Sequence, residues 1–383
     1  MFGFKKKLDF GFIIGQHYDQ FLSFDDYADH LLLPYSPRFR NVDFAVSSLV
    51  SAGIRNIMVV VTRDKDIVLN YLVKGWPLLN FWVWEPADAA AHLEEFFEEY
   101  AKEHSLELIS VIQGSFPVWL NMRAFQEDLE KHNSLAVRTK FPEGELTSCI
   151  VVERKLFQKK IMKMLFPDGK QETDLGRIAE ENGIKYIEEK GYLSPFRNLR
   201  EFYEIHLSMI DDYLLLDKIN SQVPIRGDLA PTVTSLLAPH SNFKNSLFGE
   251  GVDIDGTIEN SVIFSNVRID KGAVVKNSVI FPGNHIGHDA VITNAIIDEF
   301  TREVVVPNIE PHAVIGSGTA TESNRDFPAQ LDFGITLVGK EIVIPASMRV
   351  GANCYIESFT DPLDMKNFKI LPDGYSIRRR REP

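Results

Sequence analysis

Residues 252–264 read VDIDGTIENSVIF, 269–281 read IDKGAVVKNSVIF and 286–298 read IGHDAVITNAIID, three stretches that align at a period of 17 residues. Ile258, Val275 and Ile292 fall in register, and so do Asn260, Asn277 and Asn294. Each asparagine is followed by a small residue and then two aliphatics: Val262-Ile263, Val279-Ile280, Ile296-Ile297. Phe264 and Phe281 hold equivalent places, and Asn245-Ser246-Leu247-Phe248 is an earlier, shorter copy of the same corner. Strand alternation has period two, which excludes an ordinary sheet of short strands as the source of this pattern. An aliphatic residue every six suits a coil of three short faces, each turning one side chain inward. No coil buries its own apolar edge, so coils must stack. The pattern predicts a left-handed parallel β-helix of hexapeptide repeats. The steps Ile344, Val350, Ile356 carry it to about residue 358, with the period lost at roughly 317–333.

A chain of 383 residues leaves room for a second domain ahead of the repeat. Candidate strands at Phe10–Ile14, Asn56–Val61, Phe81–Trp84, Leu106–Ile112, Leu135–Thr139, Leu146–Val152 and Ile184–Ile187 alternate with helical patterns at 40–51, 64–74, 87–104, 154–165, 174–182 and 198–213. That βαβ order predicts a largely parallel sheet. The expected organisation is an α/β domain at 1–217, a linker at 218–240 that carries Pro224, Pro231 and Pro239, and the β-helix with its tail at 241–383.

The formal charge of -13 argues against nucleic acid or an anionic membrane as a partner. Lys5-Lys6-Lys7 and Arg378 to Arg381 are basic runs of the kind that form solvated tails, the functional alternative being an anion contact. Two cysteines, Cys149 and Cys354, far apart in apolar segments, read as buried thiols of a reducing cytoplasm. No apolar window is long enough to span a bilayer.

Phe39-Arg40-Asn41-Val42-Asp43-Phe44-Ala45-Val46-Ser47-Ser48, then Ala52-Gly53-Ile54-Arg55-Asn56-Ile57, resemble the Y-R-x-I-D-F-x-L-S-N and S-G-I-R-x-I segments of the glucose-1-phosphate adenylyltransferase (ADP-glucose pyrophosphorylase) family. Ala87-Asp88-Ala89 is similar to its T-A-D-A helix start, and the β-helix repeat to its E-N-S-V and G-A-x-V-x-N-S-V segments. Asn324-Arg325-Asp326-Phe327-Pro328, with Gly334-Ile335-Thr336-Leu337-Val338-Gly339, resembles the tail of the GlgD-type subunit. The resemblance implies a nucleotidyltransferase-like domain with a Rossmann-like mixed sheet, joined to the β-helix.

The motifs that carry the family's chemistry are absent. Its G-G-x-G-x-R-L loop is replaced by Gln16-His17-Tyr18-Asp19-Gln20-Phe21, and Ala28 and His30 stand where an arginine and a lysine would be. The metal aspartate of its S-G-D segment falls on Ser115, and Leu193-Ser194-Pro195-Phe196-Arg197 replaces W-x-D-x-G. Lys140 is the one remnant of the sugar-phosphate lysine segment. Nucleotidyl transfer depends on positioning and charge stabilisation, so no catalytic residue is assigned.

The resemblance therefore implies a non-catalytic regulatory subunit in glycogen (ADP-glucose) biosynthesis. Its partners would be a catalytic ADP-glucose pyrophosphorylase subunit in a hetero-oligomer, a tetramer by the family pattern, or further copies of itself. Arg38, Arg40, Arg55 and Lys140 are candidate contacts to a small anionic effector, with ordinary surface pairing the alternative. The competing function is an active transferase making ADP-glucose from ATP and glucose 1-phosphate through a rebuilt site. Its nearby carboxylates would be Asp25, Asp26 and Asp43, and Mg²⁺ would be needed only in that case. Asp43 otherwise reads as the N-terminal anchor of a helix. A hexapeptide acyltransferase would need a base histidine, and neither His285 nor His312 decides for it. No metal site is assigned: His285 and His288 read as surface histidines. Trp76, Trp82, Trp84 and Trp119 read as core or interface residues. Exposed coil edges and aliphatic faces of the β-helix are the expected partner surface.

Overall fold

The computed structural model describes residues 8–15, 21–141, 144–188, 192–212, 225, 234–302, 306–365 and 368–379. Most of the expected linker at 218–240 lies outside the described residues, as do Lys5 to Lys7, Gln16 to Gln20 and the arginines after Arg379.

The seven expected strands form one sheet. They are β1 (Leu8–Ile14), β2 (Asn56–Val60), β3 (Asn80–Trp84), β4 (Leu108–Gln113), β5 (Ser134–Phe141), β6 (Gly144–Glu153) and β7 (Lys185–Glu188), in spatial order β7-β5-β6-β4-β1-β2-β3. All neighbours are parallel except that β6 runs antiparallel to both β4 and β5. The sheet is mixed for a reason visible in the chain. Two residues separate β5 from β6, and a connection that short joins only antiparallel strands. Helices α1 (Asn41–Ser51), α2 (Lys65–Gly75), α3 (Pro86–Glu103), α4 (Leu175–Glu181) and α5 (Leu199–Ser208) follow the expected pattern. β1 is apolar on both sides because both sides are covered. Ile13 belongs to the core with α1, while Phe10, Phe12 and Ile14 join Phe97 of α3.

The C-terminal part is a left-handed parallel β-helix whose three faces are parallel sheets. The first begins at Leu236–Leu237, before the expected boundary at 241; the second runs from Asn242–Lys244 to Ile370–Leu371 and the third from Leu247–Phe248 to Ser376–Ile377. The solenoid thus continues one coil past residue 358. Residues 316–335 leave it between the Val314–Ile315 and Thr336–Val338 strands, as the lost period predicts.

The asparagine register has a structural cause. Asn245, Asn260, Asn277 and Asn294 have φ of 47°, 47°, 45° and 49°, the left-handed region that asparagine tolerates better than other non-glycine residues. Their carboxamides form a ladder: Asn245 donates to Asn260 at 3.0 Å, Asn260 to Asn277 at 3.3 Å, and Asn277 to Asn294 at 3.1 Å. The serines after them form a second ladder, Ser261 Oγ accepting from the Ser278 N–H at 3.1 Å and Ser278 Oγ from the Ala295 N–H at 3.2 Å. Asn277→Ala, which keeps the corner and loses the side chain, is expected to destabilise by about 1–2 kcal/mol for the left-handed backbone and about 1 kcal/mol for each lost ladder bond. Asn277→Gly should recover the first part only. Urea unfolding of both variants measures the split.

The paired aliphatics are explained by which side each faces. Ile263, Ile280, Ile297, Val338 and Ile356 point into the coil, whereas Val262, Val279, Ile296 and Leu337 point out of it and pack in the same core as α1 and α5. Phe264 and Phe281 join them, with Phe281 lying 5.5 Å from Phe24, 6.0 Å from Phe202 and 5.8 Å from His206 between ring centroids. This corrects one expectation: the third aliphatic face is not open to a partner subunit, because the chain's own α/β half covers it. Two successive apolar residues are needed on a face that is buried on both sides.

Candidate functional site

In an open α/β sheet a ligand sits at the carboxyl ends of the strands. There, beyond β1, β2 and β3, lies an open cavity of about 520 Å³ lined by Gly15, Thr62, Glu85, Lys170, Gln171 and Thr173 among others. Gly15 follows β1, and a Cβ added to it would lie 2.7 Å from Cβ of Asp29. Asp29 is held in that place by three consecutive left-handed residues, Ala28, Asp29 and His30, with φ of 32°, 54° and 61°. Such backbone is strained for non-glycine residues and persists where surrounding bonds fix it. Here the Thr62 backbone N–H and hydroxyl both donate to the Asp29 carboxylate. Asp29 is buried. A fixed carboxylate therefore occupies the crest between the first two strands, where a phosphate-binding site needs donors and positive charge.

The end of β4 is equally unlike a metal site. Ser115, at the position of the family's aspartate, is fully buried, and its carbonyl accepts from Nδ2 of Asn41 at 2.7 Å. The same Nδ2 donates to the His30 carbonyl at 2.9 Å, so the first residue of α1 ties the two crest segments together. The Gln113 and Gln171 carboxamides donate to the carbonyls of Thr173 and Gly15, and both Oε1 atoms are buried without a partner among the described residues. The charged residues lining the cavity are Glu85 and Lys170, beside Thr62, Gln171, Thr173 and the first residues of α3, Pro86 and Ala87.

Asp43 is a structural anchor, as its place in the sequence predicts. It accepts from the Arg40 N–H at 2.8 Å, the Tyr71 hydroxyl at 2.7 Å and Nε1 of Trp76 at 3.3 Å. Burial pushes its carboxyl up to about 7 despite these donors. The other two carboxylates of the rebuilt-site reading, Asp25 and Asp26, are not among the residues that line the cavity. Asp25 lies 3.5 Å from His30, and burial raises the Asp26 carboxyl against the pull of Arg63.

The three arginines among the four candidate anion contacts meet different partners. Arg38 pairs with Glu250 at 3.3 Å, exposed on both sides. Arg40 is partly buried, stacks 5.5 Å over Tyr71 and pairs with Glu299 at 2.7 Å. Arg55 donates to the carbonyl of Ile54 at the amino end of β2. Arg40 and Arg55 flank α1, whose 11 residues span roughly 16 Å. Lys140 lies on β5, and its side chain is outside the described residues. His285 contacts Asp270 at 3.0 Å on the coil surface, and His288 contacts Asp289 at 3.0 Å.

A second concentration of charge sits where the α/β half meets the solenoid, and the pattern of the sequence did not reveal it. Arg40 and Lys340 converge on Glu299, Lys340 at 3.3 Å, and Tyr27 donates to Asp298 at 2.5 Å. Burial raises the Asp298 carboxyl to about 7 and the Tyr27 hydroxyl well above its ordinary range. For Glu299 burial acts upward too, but Arg40 and then Lys340 overcome it and hold the carboxyl low. Arg200–Asp332 at 2.8 Å and the Tyr203 hydroxyl on the Asn277 carbonyl at 2.6 Å also cross the seam. It is a structural junction.

The fold is a mixed α/β sheet joined to a hexapeptide β-helix, with an open cavity at the carboxyl ends of the sheet's strands. Comparison with known proteins gives the particular relatives. Residues 230–338 match the family model described as GlmU-like, C-terminal hexapeptide. The glucose-1-phosphate adenylyltransferase of Thermotoga sp. (strain RQ2) is 26% identical over 91% of this chain and 93% of its own length. That of Pseudothermotoga lettingae is 37% identical over 49% of this chain and 43% of its own. The glycogen biosynthesis protein GlgD of Bacillus subtilis (strain 168) is 23% identical over 63% of this chain and 74% of its own. The chain is a relative of the glucose-1-phosphate adenylyltransferases and of GlgD. No helix among the described residues is long and apolar enough to cross a membrane.

Proposed function

We propose that the chain is a non-catalytic regulatory subunit of a glucose-1-phosphate adenylyltransferase in glycogen (ADP-glucose) biosynthesis, assembling with a catalytic relative. One observation carries the reading. The sheet and the solenoid are in place, tied at the crest by the asparagine at the start of α1, while Asp29 and Ser115 are buried beneath the crest where the resemblance calls for cations and a metal carboxylate. Transfer from a nucleoside triphosphate stabilises charge on phosphate oxygens. A buried carboxylate fixed beneath the crest opposes that charge.

The chain should act through its partner, changing the catalytic subunit's activity or effector response by contacts made in the assembled oligomer. Assaying ADP-glucose formation by the purified chain, by the catalytic subunit and by the two together tests this. The expected result is no turnover above background for the chain alone and an altered rate or effector dependence for the mixture. Robust synthesis by the chain alone would overturn the reading in favour of a rebuilt, Mg²⁺-dependent site.

A further inference from the structure

The two edges of the seven-stranded sheet are built differently. β7, Lys185-Tyr186-Ile187-Glu188, has exposed charges at both ends. β3, Asn80-Phe81-Trp82-Val83-Trp84, has none, in a chain of which 25% is charged. Charge is a common device for keeping an edge strand from pairing with another chain, and the β3 edge lacks it.

The backbone of β3 can be assigned side by side. Asn80 N–H donates to the Arg55 carbonyl at 2.9 Å, and the Trp84 carbonyl accepts from the Val61 N–H at 3.0 Å. In a parallel pair alternate residues face the neighbour, so Asn80, Trp82 and Trp84 turn their groups toward β2. Phe81 and Val83 turn theirs outward. Among the described residues no strand pairs with that outward side.

The side chains make the same point. Phe81 and Val83 belong to one core layer and Trp82 and Trp84 to the other, and all four are only half-buried. Phe96 of α3 stands beside both tryptophans, at 5.3 and 5.5 Å. Leu78, just before the strand, is 83% exposed, and Ile67 and Val73 of the neighbouring α2 are 59% and 50% exposed. Both apolar layers therefore run out into solvent at one strand.

The rim says what kind of strand fits. On α3 Glu95, Glu99 and Glu103 are exposed beside Phe96, with Lys102 the cation among them, 3.8 Å from Glu99, so the stripe keeps a net negative charge. Two copies of β3 paired antiparallel about a dyad would set this acidic stripe against itself. We propose that the β3 edge takes up an extended apolar strand of a partner subunit, flanked by lysine or arginine, so that the sheet continues across the interface. This rests on the hetero-oligomer reading given above.

The test uses the full chain and the catalytic glucose-1-phosphate adenylyltransferase of the same cell, with binding followed by interferometry and by hydrogen exchange. Val83→Pro removes an outward N–H and leaves the ladder to β2 intact. Leu78→Glu alters a side chain too exposed to threaten folding. Each is expected to weaken the complex at least tenfold, and the Phe81 and Val83 amides should exchange more slowly in the wild-type complex. A complex that forms and ignores both substitutions overturns the edge assignment while leaving the subunit reading in place. If no complex forms at any concentration, the subunit reading itself fails, and the proposal with it. A chain that dimerises alone and becomes monomeric on Leu78→Glu gives the edge to a second copy, which also overturns the cationic partner.

Discussion

Arg40→Met should destabilise the protein by about 3–5 kcal/mol, the range found when one partner of a buried ion pair is removed. Glu299 is 2% exposed and Arg40 13%, so the lost attraction is not replaced by water. Lys340, at 3.3 Å and 25% exposed, is the cation that remains against Glu299 and its neighbour Asp298. The pH dependence separates this cause from lost packing. In the wild type the carboxyl of Glu299 is held below its ordinary 4.5, so its contribution is present above that pH and is lost in acid. In Arg40→Met burial dominates and the carboxyl moves above 4.5. The variant then loses stability as pH rises through the raised value. The gap between wild type and variant in urea unfolding should therefore be widest near neutrality and narrow in mild acid. Arg40→Met with Glu299→Met should recover most of the loss, because apolar replacement of both partners of a buried pair is often neutral. A single-variant loss under 1 kcal/mol, or a gap that widens in acid, would count against the assignment.

Periodic features were legible in the sequence because they are local. The asparagine and serine ladders follow from one corner repeated at a fixed spacing, and each copy is visible in the chain. Asp43 could be read as a helix anchor because its donors begin three residues away, at Arg40. The position of Ser115 could be read because strand ends keep their order. Arg40 could not be read, since its partner Glu299 is 259 residues distant and nothing nearby marks either as paired. Asp29 was missed for a related reason: its role depends on a left-handed backbone and on Thr62, 33 residues on. The paired aliphatics and the extra phenylalanines of the repeat were visible, yet their direction was not. Sequence spacing gives the inward residue of each face, whereas what covers the outward one depends on how the two halves of the chain meet.

That meeting predicts the second large effect. Phe281→Ala should destabilise the protein by about 3–5 kcal/mol, as for other fully buried phenylalanines. It should do so differently from a substitution one residue earlier. Ile280 points into the coil and contributes to the solenoid core, so Ile280→Ala weakens the stack itself. Phe281 points out, into a cluster formed with Phe24, Phe264, Phe202 and His206. His206 is part of the same apolar environment, since burial lowers its imidazole to about 4 and keeps the ring neutral. Truncating Phe281 removes the ring on which these side chains converge and leaves the coil interior untouched. The expected signature in calorimetry of the full chain is a broadened or divided transition, the α/β half melting apart from a solenoid that retains its own midpoint. Ile280→Ala should instead lower the solenoid's midpoint. If Phe281→Ala shifts a single transition without dividing it, the two halves unfold as one cooperative unit, and the third face belongs to a continuous core.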